Sequence, residues 1–221
     1  MYKNVAIRST LSLILLGVFL FSLLMTTKII PYLTFERYTD FLGTKIDKVL
    51  DNPFFSVAFY IHITSSFFVM LLGIFQFIPY FIKKRAYHKS IGKVYILGIL
   101  VLAAPSGMIL GFFANGGLPN KVAFCFQSLV WWTCTAIALN CVKKGAFLLH
   151  TQWMFRSYAV TLAAMSLRVD SYIMTYAFGT KPMETYLTVT WLSWVGNLFI
   201  AEILIYFGMG QYLLKSLKKN I

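Results

Sequence analysis

Long apolar runs separated by short polar clusters set the pattern of the chain. Six stretches, near residues 9–30, 53–81, 88–113, 121–142, 149–178 and 185–213, could each cross a hydrocarbon core of about 30 Å as a helix. None has the strict alternation of a barrel strand. Lipid tolerates only closed hydrogen-bonding patterns. The expected fold is therefore all-α, a polytopic membrane helix bundle with six transmembrane helices in one integral domain, 1–221.

The connections are short except for residues 31–52. There Phe35, Tyr38, Leu42, Ile46, Val49 and Leu50 recur at helical spacing between charged residues, which predicts an amphipathic helix on the outer membrane surface. A lid over an outward-facing cavity is the functional alternative. Asp51-Asn52-Pro53 reads as a cap and first-turn proline for span two. The first span is read as a retained signal anchor, because Thr26-Thr27-Lys28 is a poor cleavage site.

Composition agrees with the pattern. Apolar residues make up 59% and charged residues 12% of 221, about half the charged share of soluble domains. This excludes a soluble or disordered chain. Three cysteines exclude a disulfide scaffold.

Charge adds orientation. One side of the bundle carries Lys3, Arg8, Lys83, Lys84, Arg85, Lys89, Lys93, Lys143, Lys144, Lys215, Lys218 and Lys219 without an acid. The other carries Lys28, Arg37, Lys45, Lys48, Lys121 and Lys181 with Glu36, Asp40, Asp47, Asp51 and Glu184. The bias places both termini in the cytoplasm and the protein in the cytoplasmic (inner) membrane. The net charge of +13 is then explained by topology and by anionic lipid on the cytoplasmic face, not by nucleic acid. A larger membrane protein complex is a further candidate partner.

Ionisable groups inside a bilayer are costly, so they mark candidate sites. Here they are His62, Arg156, Arg168, Asp170 and Glu202, with His88 and His150 opening spans three and five. Span five sets His150, Met154, Ser157, Thr161, Ala164, Arg168, Ser171 and Thr175 on one face by 4-3 spacing. Span two does the same with His62, Ser66, Val69, Gly73, Gln76 and Tyr80. Depth counting predicts two polar centres: an outer one around His62, Arg168 and Asp170, and an inner one where Arg156 pairs with Glu202. Arg168 and Asp170 each call for a partner on another helix. Structural networks, or an ion or substrate path, both fit these centres.

His88 and His150 share a depth, and each is followed by a cation and a tyrosine, Lys93 with Tyr95 and Arg156 with Tyr158. This hints at a duplication of spans two and three in spans four and five. Two such histidines could ligate a b-type haem, with Lys93 and Arg156 toward its propionates, or they could bind a quinone oxygen or a lipid phosphate. Interfacial histidines snorkelling into headgroups are the bland alternative. No direct protein–metal site is expected, because His62 sits across the bilayer centre from His88 and His150, and a zinc hydrolase needs convergent ligands. Cys125, Cys134 and Cys141 on span four read as small core residues.

His62, Gly73-Ile-Phe-Gln76-Phe, His88-Lys-Ser-Ile-Gly92-Lys93-Val-Tyr95, Pro105-Ser106-Gly107, Trp132, His150-Thr-Gln-Trp153-Met154-Phe-Arg156-Ser157-Tyr158 and Arg168 run in one order. Together they resemble a bacterial family of predicted multi-pass membrane proteins catalogued as a domain of unknown function, over roughly residues 55–205. The His-Arg of that family's two basic motifs stands here as His88-Lys89 and His150-Thr151. The resemblance implies a fold and no reaction. A looser likeness to b-type cytochromes and ferric-reductase-type membrane domains implies haem held between helix histidines, though those proteins offer four and this chain has three. Four function classes stay open: a redox protein binding haem or quinone, a noncatalytic accessory subunit, a small-molecule or ion transporter, and a membrane hydrolase. Whether the protein is an enzyme is left open.

Overall fold

In the computed structural model, which describes residues 2–218, every regular element is a helix. The long helices are α1 (Tyr2–Ile29), α3 (Pro53–Phe77), α5 (Arg85–Leu97), α6 (Ala104–Phe112), α7 (Leu118–Lys143), α8 (Phe147–Thr161), α9 (Ala163–Phe178) and α10 (Pro182–Tyr206). Two short ones join them, α2 (Asp47–Leu50) and α4 (Pro79–Lys83), and α11 (Met209–Lys218) follows α10. Five helical stretches among the described residues are long and apolar enough to cross a membrane: Ile7–Thr34, Pro53–Phe77, Arg85–Phe112, Leu118–Lys143 and Pro182–Tyr206. The bundle has a basic end, around residues 83–93, 143–150 and 209–215, and a loop end, around 31–52, 113–120 and 179–184.

Two of the expected spans are interrupted. Span three keeps its axis through a π-helical segment, Gly98–Ala103, just before Pro105. Span five is two helices, α8 and α9, parted at Leu162 (φ −79, ψ −2). Proline fits the first interruption, since its missing N–H and ring disfavour a regular α ladder. The second has neither proline nor glycine nearby. Thr161 bonds back to the Ser157 carbonyl at 3.0 Å, a bond that often bends helices, and Met165 N–H reaches the Leu162 carbonyl at 2.9 Å.

Spans two and six end early. α3 stops at Ile78-Pro79, and α10 gives way at Gly208 (φ 87) to the amphipathic α11, which packs across α4 and α8. The expected amphipathic helix over 31–52 is replaced by 3₁₀ turns at Ile30–Thr34 and Leu42–Thr44 plus the four-residue α2. Left-handed backbone at Phe35 (φ 57) and Asp40 (φ 44) prevents a continuous helix. Arg37 instead staples the loop to Asp47 (3.1 Å) and Asp51 (2.7 Å), and Tyr32 and Leu42 pack on Phe55 and Phe59 of α3.

The core lies where α3, α5, α7 and α8 meet. Val69, Tyr95, Ile99, Ala138 and Val160 are almost wholly buried there. Closest approach falls at Gly73, where the Tyr158 ring occupies the space a Cβ would need, and Tyr158 donates from its hydroxyl to the Met70 carbonyl at 3.0 Å.

Candidate functional site

The interface of α5 and α8 sets the register of the site. Tyr95 and Ser157 meet at 3.1 Å between their hydroxyls. Each lies seven residues after a histidine, His88 and His150, so both histidines sit two helical turns nearer the basic end on the same faces. The two rings are accordingly within electrostatic range of one another. The equal depth expected from the sequence has a structural cause in this paired contact.

The buried hydroxyls above the histidines satisfy each other. Tyr95 Oη also reaches Thr161 Oγ1 (3.0 Å), Thr135 Oγ1 reaches Ser157 Oγ (2.8 Å), and Trp131 Nε1 donates to Thr161 Oγ1 (3.0 Å). Tyr95 is fully buried and Tyr158 nearly so, which makes them core pillars, not walls of an open cavity.

Nearer the basic end the polar groups lack partners. Gln76, 6% exposed, has a buried Nε2 with no hydrogen bond, and so has His88 Nδ1. Both border Gly92: a Cβ there would stand 3.0 Å from Gln76 Oε1, and His88 lies one turn away on the same face. Burying a polar group without a partner costs on the order of 1–3 kcal/mol. Two such groups in one patch are unusual. His150 differs: its Nδ1 sits 2.8 Å from the Ala138 carbonyl, which can only accept. Nδ1 therefore carries a proton, and in the neutral ring the lone pair is on Nε2. The patch offers an amide donor at Gln76, either role at His88 and an acceptor at His150.

Other residues singled out by sequence lie elsewhere. Lys93 is exposed. Arg156 forms a two-pronged pair with Glu202 across α8 and α10 (2.9 Å between Nη2 and Oε2), and its guanidinium stacks on Trp153 at 4.5 Å. The inner ion pair is thus present. At the loop end, His62 Nδ1 donates to the Ala103 carbonyl at 2.9 Å, with Ser66 and Ser106 each at 3.5 Å. Arg168 donates to its own helix at the Ala164 carbonyl (2.7 Å) and lies within electrostatic reach of the Tyr32 hydroxyl of the loop, while Asp170 has no partner among the described residues. Among the described residues, neither has the interhelical hydrogen bond or ion pair expected for it, and no hydrogen bond joins either to His62. The reason is the interruption at Leu162. It leaves Met154, Ser157 and Thr161 buried but turns Ala164 and Thr175 outward, so the stripe does not continue on one face. Among the described residues, no three His, Cys, Asp or Glu side chains converge as a metal site requires.

Asn197 went unnoticed in the sequence. Its Nδ2 donates to the Ala159 carbonyl at 3.0 Å and its Oδ1 accepts from Ser166 at 2.8 Å, bridging the interruption from α10. An asparagine among Gly196, Leu198 and Phe199 in an apolar run was the available signal.

A model of the family described as predicted membrane protein (DUF2306) matches residues 59–205. The chain belongs to this family. In this DUF2306 protein the matched region opens at Phe59 on α3 and closes at Ile205 on α10, so it contains Gln76, His88 and His150 and leaves out α1, the whole 31–52 loop and α11. No curated protein and no solved structure matches the chain.

Proposed function

We propose that this protein binds the carbonyl head of a membrane-dissolved quinone at the Gln76–His88–His150 patch. The observation that carries the reading is the pair of buried, unpartnered atoms, Gln76 Nε2 and His88 Nδ1, on residues that border Gly92. A quinone oxygen accepts from both. The reduced form, a quinol, donates its hydroxyl to His150 Nε2, the ring nitrogen that bears the lone pair in the neutral tautomer selected by the Ala138 carbonyl. One set of donors and an acceptor thus serves both redox forms. A haem fits these residues less well. Arg156 is committed to Glu202 and Trp153, Lys93 faces away, and the two tyrosines are sealed in the core.

The reading places the patch in the cytoplasmic leaflet of the inner membrane, in keeping with the cation bias of the basic end. In a cysteine-free background, Lys48→Cys should label from outside intact cells and Lys143→Cys only after permeabilisation; the reverse would invert the topology.

Binding is tested with the full chain in nanodiscs. Decylubiquinone should quench tryptophan fluorescence saturably, and Gln76→Leu with His88→Leu should weaken the apparent affinity by an order of magnitude or more, since two hydrogen bonds of roughly 1 kcal/mol each are lost. Equal quenching of wild type and double variant would remove the patch as the site. A Soret band in protein from haem-replete cells, lost in His88→Ala and in His150→Ala, would favour haem instead.

A further inference from the structure

A second set of unpartnered polar groups lies at the other end of the bundle, independent of the quinone patch. Asn120, at the start of α7, is fully buried, and neither its Nδ2 nor its Oδ1 has a hydrogen bond. Its amide fills the space beneath Gly116, whose left-handed φ of 82 lets the loop-end turn fold over it. Tyr186 of α10 packs beside it. Deeper along α10, Ser193 Oγ (residue 1% exposed) and Trp194 Nε1 (residue 6% exposed) are also buried and unpartnered. Tyr186, Ser193 and Asn197 fall on one helix face by 7-4 spacing, with Trp194 at its edge. That face ends at the Leu162 interruption, where Asn197 is engaged.

We propose that this face of α10 carries an internal file of bound water, entered beneath the 114–117 turn at Asn120 and closed at Asn197. The chemistry selects water. A cation needs acceptors and an anion needs donors, whereas these groups present both and none is charged. A buried water makes about three hydrogen bonds, so the Asn120 amide at the mouth and the Ser193 hydroxyl with the Trp194 N–H deeper in each take waters of their own. Tyr186 to Asn197 spans about 16 Å at 1.5 Å per residue, roughly half a hydrocarbon core. The file stops there because the Tyr95, Thr135, Ser157, Thr161 and Trp131 groups beyond are bonded to one another. It is a half-path that hydrates the helix interruption from the loop end.

Two buried tryptophans make the test internally controlled. Trp131 is 5% exposed with its Nε1 bonded to Thr161, whereas Trp194 is 6% exposed with Nε1 unpartnered. X-ray radiolysis generates hydroxyl radicals from bound as well as bulk water. In the full chain in nanodiscs, Trp194 should be modified several-fold faster than Trp131, and Asn120→Leu should slow Trp194 and lower the melting temperature. Equal, slow modification of both tryptophans in wild type would overturn the proposal. So would an Asn120→Leu protein that melts higher with unchanged modification, since that marks a dry site relieved of an unmatched amide. The wild-type comparison stands even where the variant does not fold.

Discussion

The two arms that carry the histidines, α5–α6 and α8–α9, are interrupted at the same register and repaired differently. The π segment Gly98–Ala103 begins ten residues after His88, and Leu162 lies twelve after His150. In the first arm, Leu100 stands five residues before Pro105, so in π register its carbonyl faces a nitrogen with no hydrogen. Trp132 Nε1 from α7 supplies the missing donor at 3.2 Å, and His62 from α3 caps the Ala103 carbonyl. The axis survives, and α6 packs closely on α7. In the second arm the repair comes from α10, through Asn197. There α9 packs chiefly on α10, and among the described residues Arg168 and Asp170 have no interhelical hydrogen bond or ion pair. The difference teaches that a helix follows the neighbour that satisfies its freed carbonyls. Repair from two flanking helices keeps an arm continuous, and repair from one helix swings it toward that helix.

The largest test removes what both arms share. Gly73→Leu drives a side chain into the Tyr158 ring where α3 meets α8, and it should abolish recovery of folded protein from membranes. Monodisperse protein with wild-type melting would mean that the arms do not converge there. Next, Asn197→Leu should cost about 1–3 kcal/mol, because it strips a donor from the Ala159 carbonyl and the acceptor from Ser166. Amide exchange should rise through Ala163–Phe178 and stay unchanged in Ala104–Phe112. A uniform rise in both arms would break the comparison.

Trp132→Phe is a smaller and sharper probe, with an expected loss of roughly 1 kcal/mol. In a Pro105→Ala background, where residue 105 regains its N–H, that loss should shrink. A double-mutant cycle reads this coupling; strict additivity would detach the indole from the proline's missing donor.

These contrasts bear on what was legible in the sequence. Helical spans, the Arg156–Glu202 pair and the shared depth of His88 and His150 follow from apolar run length and spacing, which are local quantities. The break at Leu162 does not. Thr161-Leu162-Ala163 has no breaker, and the geometry depends on Asn197, thirty-five positions away. For the same reason the stripe from His150 to Thr175 read as one face. The loop over 31–52 misled through its spacing: the apolar period was helical, but Arg37 and Tyr38 reach Asp47 only in a folded-back chain. The patch at Gln76 was half visible, as a glutamine on an apolar stripe. Its lack of a partner is a tertiary fact.

The far ends of the arms supply the last and mildest contrast. α9 closes on itself, with the N–H of left-handed Gly179 (φ 63) returning to Thr175 and Met174. α6 instead leans on the loop, where buried Lys45 donates to the Phe113 carbonyl at 2.7 Å and to Asn115 Oδ1 at 2.8 Å, with Phe41 under its ammonium at 4.7 Å. Burial lowers the Lys45 pKa from 10.5 to about 8, and Lys121 nearby adds to the shift. A lysine whose pKa is lower folded than unfolded binds fewer protons in the native state between those two values. Stability should therefore be flat below about pH 8, rise from there to about 10.5, and level off above. Lys45→Met removes that rise, whereas a substitution at exposed Lys181 keeps it. Melting curves across this range decide the matter: a wild-type profile that falls with pH, or a rise that persists in Lys45→Met, would show that the arm's loop end is not held by a charged lysine short of counter-ions.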